Sequence, residues 1–146
     1  MNNIRKFLAR STSEKILFLQ VIFLLPFFQC AIKLIPFRYL KTLLKLKQND
    51  TTMSTESAFK QSDIEQIRWA IKTAKHYFPY LPGRCLAQAL TARQLLRQRK
   101  IPCRIYLGAR HEQDHTMTAH AWLCCGKIIL TGGKTMKQYK KIASFT

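Results

Sequence analysis

Tyr80-Leu81-Pro82-Gly83-Arg84-Cys85-Leu86-Ala87-Gln88-Ala89-Leu90-Thr91-Ala92-Arg93-Gln94-Leu95-Leu96 is the stretch on which the fold turns. Tyr80-Leu81-Pro82-Gly83 has the composition of a turn-rich loop. From Cys85 to about Gln98, Leu86, Ala89, Leu90, Ala92, Leu95 and Leu96 cover most of a helical circumference. A helix apolar on most sides is buried, so only its end (Arg97, Gln98, Arg99) is expected in water. A cysteine that opens such a helix lies among backbone N–H groups with no acceptor inside it, at the positive end of its dipole. Both effects favour the thiolate, which is the nucleophile. The same N–H groups suit an oxyanion forming on an attacked carbonyl, and Arg84 adds positive charge next door. The plainer reading of Cys85 is a small apolar residue at a helix start.

Downstream, Ile101-Pro102 breaks the helix. Cys103 to Gly108 alternates as a strand, and His111 to Thr118 reads as a polar loop. Ala119 to Cys124 and Lys127 to Leu130 predict a hairpin turning at Gly126. His120 falls inside the first of those strands, flanked by Ala119 and Ala121, where each ring nitrogen needs a partner. Alone it reads as a core histidine bonded to backbone. With Cys85 at the head of the preceding helix, the two fit a thiolate–imidazolium pair assembled by the fold rather than by sequence adjacency. A third group normally orients the imidazole. No Asp, Glu or Asn follows His120, and Gln138 is the only side-chain amide beyond it. Thr131, Asp114 and a backbone carbonyl stay open for that role.

Upstream, Ser62-Asp63-Ile64-Glu65 opens a helix with Ile64, Ile67, Ile71 and Ala74 on one side, ending before Pro79. Residues 47–61 are polar and rich in hydroxyls, a linker. Residues 1–46 are basic and apolar, with a helix start at Ser11-Thr12-Ser13-Glu14. The apolar run Ile16–Ile32 is interrupted by Gln20, Pro26 and Gln29, and is borderline against the roughly 20 residues a membrane span needs. It fits helices packed on the domain, helices on a membrane surface, or a span; Phe28-Gln29-Cys30-Ala31 is a poor signal-peptide cleavage site. The organisation expected is 1–46 helical segment, 47–61 linker, 62–146 working domain.

Composition bounds the rest. The chain has 146 residues, 47% of them apolar, enough for a core. Its five cysteines (Cys30, Cys85, Cys103, Cys124, Cys125) lack the even spacing of a disulfide scaffold, which points to a reducing, cytoplasmic setting. Cys103, Cys124, Cys125 and His115 lack the spaced pairs of a zinc site, so no metal or cofactor is expected. With 25 Lys+Arg against 7 Asp+Glu, the net charge of +18 suits an acidic peptide or anionic lipid. No recognised nucleic-acid motif accompanies it. A non-catalytic basic protein that holds a peptide or membrane is the reading from outside enzymology.

Cys85-Leu86-Ala87-Gln88-Ala89-Leu90, Leu95-Leu96-Arg97, Ile101-Pro102-Cys103, Leu107-Gly108-Ala109-Arg110 and Ala119-His120-Ala121-Trp122 resemble the core of the lasso-peptide leader peptidases, the B proteins of lasso-peptide biosynthesis. Glu14-Lys15-Ile16-Leu17 and Leu34-Ile35-Pro36-Phe37-Arg38 resemble their N-terminal zone. The resemblance implies an α+β, transglutaminase-like (papain-like) cysteine protease core, with the catalytic Cys at a helix N-terminus packed on a small antiparallel sheet. An N-terminal helical segment precedes that core. It implies removal of the leader from a ribosomally made precursor, with Cys85 as nucleophile and His120 as base, and transglutaminase-like amide transfer as the enzymatic alternative. It further implies a separate winged-helix leader-recognition protein and a lasso cyclase as partners. Relatives often carry an Asp downstream of the histidine, where this chain reads Leu130-Thr131-Gly132-Gly133.

Overall fold

A computed structural model describes residues 9–48, 60–77, 85–114 and 116–146, beginning at a reciprocally capped helix. In α1 (Thr12–Leu34), Ser11 Oγ accepts the Glu14 N–H at 3.3 Å and the Glu14 carboxylate accepts the Ser11 N–H at 3.2 Å. Leu17, Val21, Leu25, Phe28 and Ala31 recur at helical spacing and are buried. Burying a large apolar side chain contributes roughly 1.5–3 kcal/mol. Four of them together match the net stability of an ordinary domain, about 5–15 kcal/mol. The stripe therefore makes α1 part of the core. The opposite stripe, Ile16, Leu19, Phe23, Phe27 and Leu34, is equally apolar but exposed. By length and composition alone, α1 could cross a membrane.

α2 (Phe37–Leu43) follows Pro36, and α3 (Gln61–Tyr77) buries Ile64, Ile67, Ala70, Ile71 and Ala74. α4 (Cys85–Gln98) lies against both α1 and α3 and is buried around most of its girth. It stops where Lys100 turns left-handed (φ 57): Ile101 N–H reaches back to Leu96 C=O at 2.9 Å and Lys100 N–H to Arg97 C=O at 3.0 Å. That pairing satisfies carbonyls the helix end leaves open. α2 ends the same way at Lys45 (φ 51).

The sheet has the order β3-β2-β1-β4, with every pair antiparallel: β1 (Arg104–His111), β2 (Met117–Cys125), β3 (Ile128–Thr131) and β4 (Lys140–Phe145). β1 and β2 run further than their apolar pattern suggests, so the polar loop expected over 111–118 shrinks to its tip. There the Asp114 carboxylate accepts the Thr116 N–H (3.1 Å) and hydroxyl (2.6 Å). β4 is an addition to the expected strands. Two lysines lead it, and a bulge opposite Leu107/Gly108 breaks its alternation at Ile142. Ile105, Leu107, Ala121, Leu123 and Cys125 share the face turned to the helices, while Tyr106, Gly108, His120 and Trp122 share the other.

The N-terminal segment is fastened to the last strand. Lys47 and Thr146 exchange backbone hydrogen bonds (3.2 and 3.0 Å), and the buried Arg93 donates to the carbonyls of Leu44 (3.4 Å) and Thr146 (3.2 Å). Most of the expected linker, residues 49–59, lies outside the described residues, as do the loop 78–84 and His115. Side chains of α1, α2, α3, α4 and the sheet join in one hydrophobic cluster.

Candidate active site

Cys85 is the first residue of α4 and is half-buried. Its sulfur accepts the Ala121 N–H at 3.3 Å. β3 pairs with β2 only across Leu123–Cys125, which leaves the Ala121 N–H to the sulfur. A thiol is a weak acceptor and an anion a strong one, so this donor points where negative charge would collect.

His120 is the residue before Ala121, and its ring is held on three sides. Nε2 donates to the Gly132 carbonyl at 2.8 Å, with Thr135 Oγ1 3.2 Å from the same nitrogen. A carbonyl only accepts, so in the neutral ring the proton sits on Nε2 and Nδ1 keeps its lone pair. That is the tautomer a base requires. Trp122 stacks along one side (centroids 6.1 Å apart, planes at 25°), and Tyr139 lies 5.0 Å away on another. The Arg110 guanidinium rests 5.0 Å over the Tyr139 ring, bonded to Glu112 and to Gln138 (2.5 Å). Hydrogen bonds from Arg110 and Thr118 hold the Glu112 carboxyl below its ordinary range.

Glycine is needed at two places around this ring. Gly132 has φ +75, and a Cβ there would run into the Ala121 carbonyl oxygen. Gly108 faces His120 across the ladder, and a Cβ on it would lie 2.8 Å from the Trp122 ring and 2.9 Å from Tyr139 Cβ. The first lets the loop carbonyl reach the imidazole; the second lets the aromatic wall lie flat on the sheet.

Cys85 and His120 both line one cleft of about 470 Å³. The His120 ring is bonded to Gly132 and Thr135, and among the described residues it makes no hydrogen bond to the sulfur. Of the three orienting groups that the sequence leaves open, Asp114 is committed to Thr116, and the buried Thr131 hydroxyl has no partner among the described residues. The backbone carbonyl of Gly132 is the group in contact. Thr135 and Tyr139 have no counterpart among the sequence candidates; the tandem Gly132-Gly133 after a strand is the signal that points to them. The other thiols differ from Cys85 in setting. Burial pushes Cys103 up to about 11, Cys125 to about 12 and Cys124 upward, and Cys30 is exposed on α1.

A half-buried sulfur at a helix head that lines one cleft with a strand histidine is the equipment of thiol-based acyl transfer. The chain belongs to the transglutaminase-like superfamily: the family model of that description matches residues 27–144. The superfamily includes cysteine proteases and transferases. The match begins inside α1 and runs through β1 to β3 into β4, in agreement with the α+β architecture. No curated protein and no solved structure matches the chain.

Proposed function

We propose that this chain is a cysteine peptidase that removes the leader from a ribosomally made lasso-peptide precursor. The observation that carries the reading is the Nε2–Gly132 bond, which fixes a basic Nδ1 on a strand whose next N–H already touches the Cys85 sulfur. The resemblance to leader peptidases in five ordered motifs supplies the substrate class.

In this mechanism the Cys85 thiolate attacks the carbonyl at the leader–core junction, forming a C–S bond and an oxyanion. N–H groups of the first turn of α4 stabilise that charge. His120, protonated when the thiol ionised, hands its proton to the departing amine as the C–N bond breaks. Water then hydrolyses the thioester with His120 as base. An amine in place of water would give amide transfer, the alternative outcome at the same centre. The proposed setting is cytoplasmic, with residues 1–46 against a membrane surface. A separate winged-helix recognition protein presents the leader, and a lasso cyclase takes the product.

Mass spectrometry of the precursor incubated with this chain, with and without the recognition protein, tests the reading. A shortened product that needs both proteins and disappears with Cys85→Ala is expected. A product lighter only by ammonia would replace hydrolysis with transamidation. Cleavage unchanged in a folded Cys85→Ala variant would sink the proposal.

A further inference from the structure

The cleft over Cys85 is apolar in a chain that is otherwise strongly basic. Among the described residues no Lys, Arg, Asp or Glu lines it, and His120 is the one ionisable side chain there besides the cysteine. Its walls come from three parts of the sequence. Ile32 and Ile35 at the end of α1, with Phe37 and Leu40 of α2, form one side, and Leu107 of β1 forms the floor beside Leu86. Ile142 of β4 closes the rim.

Ile142 is the informative member. It is 63% exposed, an unusual position for an isoleucine in a strand, and it sits at the bulge where β4 slips against Leu107/Gly108. Bulges re-aim side chains, and this one turns Ile142 toward the cleft mouth. An apolar side chain entering the cleft would cover Ile142 and lose its own water shell. A lysine or glutamate there would lose its hydration and find no counter-charge among the described lining residues.

We propose that this cleft is a specificity pocket for an uncharged, apolar side chain of the peptide next to the scissile bond, with Ile142 as its gripping rim. The proposal rests on the reading of Cys85 as the nucleophile. It also gives the N-terminal segment a job: the α1–α2 elbow is a wall of the substrate pocket.

The test measures the pocket apart from proteolysis. N-chloroacetyl-leucinamide and N-chloroacetyl-lysinamide alkylate a cysteine by the same step, the sulfur displacing chloride. Their rates at Cys85, read by peptide mapping to separate it from exposed Cys30 and normalised to chloroacetamide, report the preference. The leucine probe should react roughly tenfold faster, the discrimination expected when a single apolar side chain fills a pocket that matches it. Ile142→Ser should shrink that ratio, and Ile142→Glu should turn it toward the lysine probe, with melting temperatures near the parent because the residue is exposed. Equal rates for the two probes, a lysine preference in the parent, or no labelling of Cys85 would overturn the pocket. If the preference holds while no precursor is cleaved, the peptidase reading falls and the pocket stands. If cleavage is Cys85-dependent yet indifferent to a lysine placed on either side of the junction, the pocket falls and the peptidase stands.

Discussion

The His120 imidazole and the Gly132 carbonyl are joined by a 2.8 Å hydrogen bond, so a backbone oxygen occupies the place where a carboxylate commonly orients a catalytic histidine. A carbonyl fixes tautomer and ring direction as a carboxylate does. It carries no full negative charge, so it stabilises the imidazolium less.

The first prediction follows from the backbone that delivers this oxygen. Gly132→Ala forces an L-residue into φ +75, at a cost of about 1–2 kcal/mol, and drives its Cβ into the Ala121 carbonyl. The loop must shift, taking its carbonyl from Nε2. Precursor cleavage should fall by roughly 10²-fold or more, in the range of losing general acid–base catalysis, with a melting temperature only a few degrees lower. An alanine variant with parental cleavage would remove Gly132 from the site.

The second prediction concerns Thr135, whose hydroxyl oxygen is 3.2 Å from the same nitrogen. Thr135→Asp puts a carboxylate within reach of the Nε2 proton and stabilises the charged ring. The alkaline limb of the pH–rate profile should move up by about one pH unit, at the low end of what a neighbouring opposite charge does. Thr135→Ala should cost only a few-fold, because Gly132 still holds the proton. A profile that does not move in the Asp variant would mean that Thr135 lies near His120 without acting on it.

These two residues also mark where the sequence stops being readable. The buried helix from Cys85 and the strand around His120 are legible because periodicity reports which sides of an element are covered. Their meeting follows from order along the chain. The orienting group is not legible, because a backbone carbonyl has no side-chain signature and any residue could supply it. β4 escapes because its bulge interrupts the period at Ile142, and lysines occupy two of its six positions. α1 is apolar on both stripes, and only the helices packed on Leu17, Val21, Leu25 and Phe28 reveal which one is inside.

A third prediction separates the thiols. At pH 8, a limiting dose of iodoacetamide should label Cys85 and the exposed Cys30 and spare Cys103 and Cys125, whose burial both shields them and raises their proton affinity. Half-buried Cys124 should be labelled less than Cys85, because desolvation raises its proton affinity. Added precursor should protect Cys85 and leave Cys30 unchanged. Quantitative peptide mapping reads both. Preferential labelling of Cys124 would point to a different reactive thiol.

The C-terminal end of α4 offers a fourth. Lys100 holds a left-handed φ of 57 to close α4, a conformation that suits glycine better than lysine. The lysine is exposed and among basic neighbours, so its side chain contributes little to set against that strain. Lys100→Gly should raise stability by up to about 1 kcal/mol, visible as a higher urea midpoint with an unchanged slope. A lower midpoint would show that unfolded-chain entropy outweighs the relief.

The buried thiols add a pH dependence with a definite sign. A cysteine ordinarily releases its proton near 9.0, whereas folded Cys103 keeps it to about 11 and Cys125 to about 12. Between those limits the folded chain binds more protons than the unfolded one, so stability falls as pH rises. The full contribution is present below pH 9 and drains away through pH 11 and 12. At about 1.4 kcal/mol per pH unit, Cys103 alone accounts for about 2–3 kcal/mol. Cys125 adds less than its own shift suggests, because part of that shift is repulsion from the Cys103 thiolate. Urea unfolding at pH 8, 9, 10 and 11 should show the decline. Cys103→Ala should start lower, from the small cavity it leaves, and decline less steeply. Parallel slopes in the two proteins would mean that the lysines, not the buried thiols, set the alkaline limit.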